Sequence, residues 1–275
     1  MQTASDANGS WPQQDAVEAN AACGYGLAGR TRSVVRAGAM VALTSVMLPG
    51  SQLHVALRDD ALAKRAAFRA WERRWAEQLL KLFGMRLSMV GAAPKRPAAR
   101  LIVANHRSPV DILVAIARVG GCVLSRADLA TWPLLGQAAQ AAGTIFVDRD
   151  DRKSGASAIR QIRNRLKAGE HVVVFPEGAT FEGDEVQPFQ AGAFTAARGL
   201  SIEVVPMGIA YPAGCEFVNE GFAEHMMRVS MRPFTRVGIA VGEAYPLTGS
   251  RDEAALRAQQ CVQDLVYQAR SACGA

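Results

Sequence analysis

A histidine and an aspartate stand five residues apart in "NHRSPVD", residues 105–111. An apolar run, "RLIVA", precedes the stretch, and another, "ILVAIA", follows it. His106 and Asp111 are the residue types of an acid–base couple. A carboxylate on one imidazole nitrogen fixes the tautomer and favours the imidazolium, which leaves the other nitrogen to take a proton from a hydroxyl. On one regular helix the two residues would lie about 140° apart around the axis, too far to meet. A strand–turn–helix corner can bring them together. "RLIVAN" reads as a strand, Ser108 as a helix cap and Pro109 as a first helical residue. Asp111 then falls at the third helical position, where Ser-x-x-Asp is also a capping pattern. Local pattern supports two readings. Asp111 caps a helix and His106 is a loop residue, or the pair is a triad without its serine, with a substrate hydroxyl as the nucleophile.

Around this stretch the chain alternates. Strand-like runs cover 85–90, 100–104, 121–125, 144–148, 171–175, 202–210 and 236–241, and helical patterns cover 109–119, 131–141, 152–168, 190–198 and 252–271. Alternation predicts an α/β fold with a mostly parallel central sheet flanked by helices. Ligands of such sheets gather outside the carboxyl ends of the strands. Three polar clusters fall at predicted strand ends: "NHRSPVD", "DRDDR" at 148–152 and "PEGAT" at 176–180. The last helix carries Leu256, Val262, Leu265 and Val266 and is expected to cover the sheet.

The N-terminal part reads differently. Residues 1–30 show no periodicity and read as a disordered tail. Residues 31–58 read as an apolar membrane-associating segment. No Asp, Glu, Lys or Arg occurs between Arg36 and Arg58, and a bilayer crossing requires about 20 apolar residues. "PGSQ" at 49–52 interrupts the run, which predicts a helix dipping into one leaflet or a re-entrant hairpin. An ordinary core helix is the plain alternative, and a signal peptide fits poorly so far from Met1. The domain proper, 59–275, opens on a helix with Phe68, Trp71, Trp75, Leu79 and Leu82 at helical spacing. Arg and Lys fill its other faces, so it can pack on the domain and also lie at a membrane interface.

Hydrophobic residues make up 49% of the 275, enough for a sizeable core. The net charge of +6 suits an anionic partner such as an acidic membrane surface or a phosphorylated or CoA-like ligand. Nucleic acid is the poorer match, because the Arg-rich helix is apolar on one face and no nucleic-acid motif appears. The 5 cysteines include no CxxC pair, and His54, His106, His171 and His225 are scattered. Neither a disulfide framework nor a zinc site is expected, and a reducing compartment is.

Three further blocks follow "NHRSPVD" in order: "GTIFVDR" at 143–149, "FPEGAT" at 175–180 and "VVPMGIAY" at 204–211. With them the chain, over roughly residues 80–245, resembles the glycerolipid acyltransferase family. The resemblance implies that family's α/β fold, with His106 as general base and Asp111 as its orienting partner. It implies substrate contacts from Asn105, Ser108, Gly143, Phe146, Arg149, Glu177, Gly178 and Thr180. In that reading Arg149 offers a guanidinium to a phosphate, Glu177 orients Arg149 or a substrate hydroxyl, and Gly178 permits close backbone approach. The donor would be acyl-CoA or acyl-carrier protein, with no metal, no further cofactor and no acyl-enzyme. Amides at the start of helix 109–119 are the physically natural oxyanion donors. The implied location is the inner membrane, with the catalytic domain on its cytoplasmic side.

The chain also departs from the family pattern. Many relatives with phosphate acceptors read FPEGTR, and here Ala179 and Thr180 replace the Thr and the Arg. Gln190 in "PFQAGAF" stands where a Lys is common. Lysophosphatidic acid is the leading acceptor, giving phosphatidic acid, and a non-phosphate lysolipid such as lyso-ornithine lipid is the second. A non-catalytic lipid-binding protein on the same fold is the rival from another class. The intact His106 and Asp111 argue against it.

Overall fold

The computed structural model describes residues 25–92, 99–132, 134–148 and 151–274. Helices α1 (Gly26–Ala56) and α2 (Ala61–Leu82) form an antiparallel pair ahead of the sheet. Asp60 caps α2, its carboxylate accepting from Ala63 N at 2.7 Å. The chain then runs β1 (Met85–Val90), β2 (Arg100–Ala104), α3 (Val110–Arg118), β3 (Cys122–Arg126), α4 (Leu135–Ala141), β4 (Ile145–Val147), α5 (Arg152–Lys167) and β5 (Val172–Val174). It continues through α6 (Gly192–Ala197), β6 (Glu203–Ala210), α7 (Phe222–Met231), β7 (Thr235–Val241), β8 (Tyr245–Pro246) and α8 (Arg251–Gly274).

The sheet order is β1-β7-β6-β2-β5-β3-β4, with β8 pairing β6. Five of the pairings are parallel, and β6 runs antiparallel to β7 and β8. The central strands are continuous apolar runs because both faces are covered. Leu101 and Val103 pack under α5, α6 and α8, while Ile102 and Ala104 face α2 and α3. Gly208 and Gly238 sit where a Cβ would strike the backbone of α8 at Leu265 and Ala269. That lets α8 lie directly on β6 and β7, the covering role expected of the last helix.

Two expectations change at the N-terminus. The tail expected over 1–30 falls outside the described residues up to residue 24, and from Gly26 the chain is helical. The turn expected at "PGSQ" does not form, and α1 runs unbroken through Pro49. Ser51 Oγ donates to Leu48 O at 2.7 Å, and the Trp71 ring of α2 packs beside Gly50, so the neighbouring helix supports the place where proline removes a backbone bond. The result is a single helix of 31 residues, roughly 46 Å long, apolar enough to cross a membrane. α1 is tied down at two levels. Trp75 Nε1 donates to Thr44 Oγ1 at 3.0 Å, and Ser33 Oγ meets Ser230 Oγ of α7 at 2.6 Å. Arg32 and Arg36 donate to the last carbonyls of α7 and beyond, Ser230 to Pro233, where a cation suits the helix C-terminus.

Candidate active site

The carboxyl ends of β2, β5 and β6 lie side by side, so the residues that follow them converge. After β2 the chain turns at residues 105–109 and enters α3. His106 Nδ1 lies 2.8 Å from Asp111 Oδ2. The same oxygen accepts from Arg107 N at 2.6 Å and Ser108 N at 2.9 Å. Tyr211, just past β6, donates its hydroxyl to Asp111 Oδ1 at 2.7 Å. Asp111 is fully buried and every contact on it is a donor. A carboxylate accepts only, so Nδ1 carries the proton of the His106–Asp111 bond. Nε2 is the remaining acceptor, and no hydrogen bond reaches it among the described residues. The His106 ring stacks on Phe175 at 4.4 Å between centroids. The Asp111 carboxylate therefore both closes the helix start and holds the imidazole.

Beneath this turn lies a buried ion pair. Arg107 Nη1 donates to both Glu177 oxygens at 3.1 and 3.0 Å, and the two side chains are 2% and 0% exposed. Glu177 also accepts from His106 N at 2.5 Å and Gln187 N at 2.9 Å. Arg107 spends its other donors on the carbonyls of His106, Gly183 and Glu185. Burial pushes the Glu177 carboxyl up, and Arg107 and the two amides pull it back. The pair welds the turn after β2 to the turn after β5.

The Acyltransferase family model matches residues 90–210. A lyso-ornithine lipid O-acyltransferase of Rhodobacter capsulatus is 31% identical over 195 residues, 68% of this chain and 68% of that protein. The chain belongs to the glycerolipid acyltransferase family. A lyso-ornithine lipid O-acyltransferase of Pseudomonas aeruginosa is 29% identical over 249 residues, 85% of this chain and 93% of that one. A 1-acyl-sn-glycerol-3-phosphate acyltransferase of Neisseria gonorrhoeae is 32% identical over 119 residues, 43% of this chain and 47% of that one. The crystal structure of the 1-acyl-sn-glycerophosphate acyltransferase of Thermotoga maritima shares the fold. Its TM-score is 0.65 at 18% identity, covering 86% of this chain and 98% of that one.

Two hollows lie near the 105–111 turn of this acyltransferase. An apolar cavity of about 480 Å³ is walled by α1, α2, α3, α4 and α7. Pro109 and Val110 of the turn line it, as do Ile116 of α3, Glu72 of α2 and Ala142 just after α4. That volume falls within the roughly 300–1,000 Å³ of ligand pockets. Among its described lining residues Glu72 alone is ionisable, and Arg69 holds it at 2.7 Å. A separate polar depression is lined by Thr180, Asn219, Glu220 and Glu224, with Arg228 paired to Glu220. Phe181 N donates to His106 O at 3.2 Å, which sets the Thr180 segment against the turn.

The residues proposed for substrate contact divide under this geometry. Thr180 lines the polar depression, its hydroxyl donating to Phe217 O at 2.5 Å. Glu177 has its oxygens taken by Arg107 and the amides of His106 and Gln187, and Arg149, which it was expected to orient, lies outside the described residues. Asn105 is buried and bonds both N and O of Ile209 at 2.8 Å, extending the β2–β6 ladder. Ser108 is buried against His225. Gly143 precedes β4, at the edge of the sheet away from the site, with its carbonyl on Cys122 and Arg165. Phe146 sits on β4, three strands from β2 and so roughly 14 Å away. Gly178 adopts φ +79°, and a Cβ there would strike the Gln190 side chain, so the close approach it permits is to its own chain. The amides expected to hold an oxyanion are also taken: Val110 N by Ser108 Oγ, Asp111 N by Ser108 O and Ile112 N by Pro109 O.

Sequence reasoning missed Arg107, Tyr211, His225 and Glu220. Arg107 and Tyr211 lie inside the quoted blocks. A signal existed for Arg107, since a parallel sheet sets opposite charges at neighbouring strand ends side by side. His225 and Glu220 belong to a helix and its approach that the pattern did not reveal.

Proposed function

We propose that this acyltransferase moves a fatty acyl chain from acyl-CoA or acyl-carrier protein to a lysolipid hydroxyl, with His106 as the general base. One observation carries the reading: His106 is held by Asp111 through Nδ1 while Nε2 stays unbonded among the described residues, on a turn whose Pro109 and Val110 line an apolar cavity. Nε2 takes the hydroxyl proton as the oxygen attacks the thioester carbonyl. The tetrahedral adduct collapses, the C–S bond breaks, and the imidazolium returns its proton to the departing thiolate. Asp111 keeps the proton-carrying nitrogen turned inward and stabilises the imidazolium. The cavity accommodates the acyl chain, and no cofactor beyond the donor enters the scheme.

The acceptor we favour is lyso-ornithine lipid. Relatives that carry this name match more of the chain than those named for 1-acyl-sn-glycerol-3-phosphate. The depression around Thr180, whose neighbour Phe181 bonds His106 O, offers the exposed carboxylate of Glu224, while Glu220 is paired with Arg228 and His225. A free carboxylate suits the ammonium of an ornithine head group and repels a phosphate. Lysophosphatidic acid is the second reading, supported by the relatives of that name and by the basic net charge.

The exposed apolar side chains of α1 and α2, among them Leu27, Val34, Val46, Leu53 and Leu62, fit insertion into a membrane. We place the catalytic domain on the cytoplasmic side of the inner membrane, where acyl thioesters are made. Purified enzyme given labelled acyl-CoA or acyl-carrier protein and both lysolipids tests the acceptor. Lyso-ornithine lipid is expected to be acylated faster. Turnover of lysophosphatidic acid with none of lyso-ornithine lipid would overturn the choice.

A further inference from the structure

A second histidine reaches the catalytic turn from below. His225 projects from α7 and is fully buried. Its Nε2 lies 2.9 Å from Ser108 Oγ and its Nδ1 lies 2.8 Å from Glu220 Oε1. Glu220 is itself gripped by Arg228, which also donates to the carbonyls of Gly214 and Glu216. Donor and acceptor roles follow from the chemistry. A carboxylate accepts only, so Nδ1 of His225 carries the hydrogen. The neutral ring then has Nε2 as its acceptor, and the Ser108 hydroxyl donates to it. Burial holds the His225 imidazole below its ordinary value of 6.5, with Glu220 opposing, which keeps the ring neutral near pH 7. Ser108 Oγ retains lone pairs and accepts from Val110 N at 3.2 Å. Ser108 N meanwhile donates to Asp111 Oδ2.

We propose that His225, oriented by Glu220, is a positioning residue for acyl transfer: it accepts the Ser108 hydroxyl and so locks the turn whose amides aim Asp111 at His106. The inference rests on the proposed role of His106. It assigns work to two residues outside the four sequence blocks. It also connects the base to α7, the helix that lines the acyl cavity through Phe222 and Met226 and bonds α1 through Ser230. Ser108 and His225 are both enclosed, so the pair braces the turn and does not attack the donor.

The test compares wild type, His225→Ala, His225→Gln, Ser108→Ala and the Ser108→Ala/His225→Ala double variant. His225→Ala is expected to lower kcat by about 10–100-fold, the usual cost of losing a group that orients a reacting side chain. KM for donor and acceptor should change little. With Ser108 N loosened, Asp111 is less firmly aimed and the His106 Nδ1–H···Oδ2 bond loosens. The downfield NMR signal of the His106 Nδ1 proton should move upfield and broaden. Gln keeps one acceptor and one donor in one side chain and should restore most of the rate and the signal. The double variant should be no worse than Ser108→Ala. Multiplying losses, an unchanged His106 Nδ1 proton signal, or a Gln variant as inactive as Ala with a fallen melting temperature would each overturn the proposal, as would an acyl adduct on Ser108. The NMR signal needs no turnover. A wild type that acylates no lysolipid would sink the proposed function while the NMR signal still decides this inference.

Discussion

At the scale of single residues, the site is a turn in which one carboxylate does two jobs. Asp111 Oδ2 accepts the His106 ring and two backbone amides, so the group that orients the proposed base also shapes the loop that carries it. Asp111→Asn would place an NH₂ where donors converge and disfavour the working tautomer. Its kcat is expected to fall about 10²–10⁴-fold, measured with donor and acceptor saturating. Tyr211 supplies the fourth donor. Burial and the Asp111 charge raise its phenol well above the ordinary tyrosine value, so it remains a donor throughout the neutral range. Tyr211→Phe leaves Asp111 Oδ1 buried and unpaired, which costs about 1–3 kcal/mol of stability, read by thermal denaturation in detergent. His225 sets a pH dependence of its own. Its folded value is depressed, so the stability it contributes is full above about 6.5 and is lost as the pH falls through the folded value. Melting temperature should fall more steeply on acidification below pH 6.5 in wild type than in His225→Gln.

At the scale of elements, what could be read in advance followed from burial. Past the charged first residues of β2 and β6, strands β2, β5 and β6 are apolar runs because helices cover both faces, and such runs announce themselves. α7 did not. It is 10 residues long and follows Gly221, which offers no side-chain cap, so it lacks a start signal. His225 and Glu220 were hidden with it. Asn105, Ser108 and Glu177 were legible as members of the site blocks but not in their roles, because a motif marks where polar residues cluster and not which of them bond inward. α1 was misread at Pro49, where support from α2 outweighs the lost backbone bond. α2 is itself pinned by Arg69, which donates to Glu72, Glu170 and the carbonyls of Gly121 and Ala142. Burial raises the Glu72 carboxyl and Arg69 opposes it. Arg69→Ala would strand Glu72 in the wall of the apolar cavity. The expected destabilisation is about 3–5 kcal/mol, checked by denaturation in detergent.

At the scale of the whole molecule, α1 has two duties. Its outer face is apolar and exposed, while Met40, Thr44, Met47 and Leu48 wall the cavity. Deleting residues 31–58 should therefore release the protein from vesicles and abolish transfer together. A deletion variant that still sediments with vesicles would rule out α1 as the anchor. The central claim is that His106 draws the proton from the acceptor hydroxyl, and the most direct measurement is transfer of a labelled acyl chain to a lysolipid by purified wild type and His106→Ala. Wild type should form labelled two-chain lipid, and His106→Ala, folded to the same melting temperature, should form at least about 10³-fold less. Equal rates from the two proteins would contradict the account.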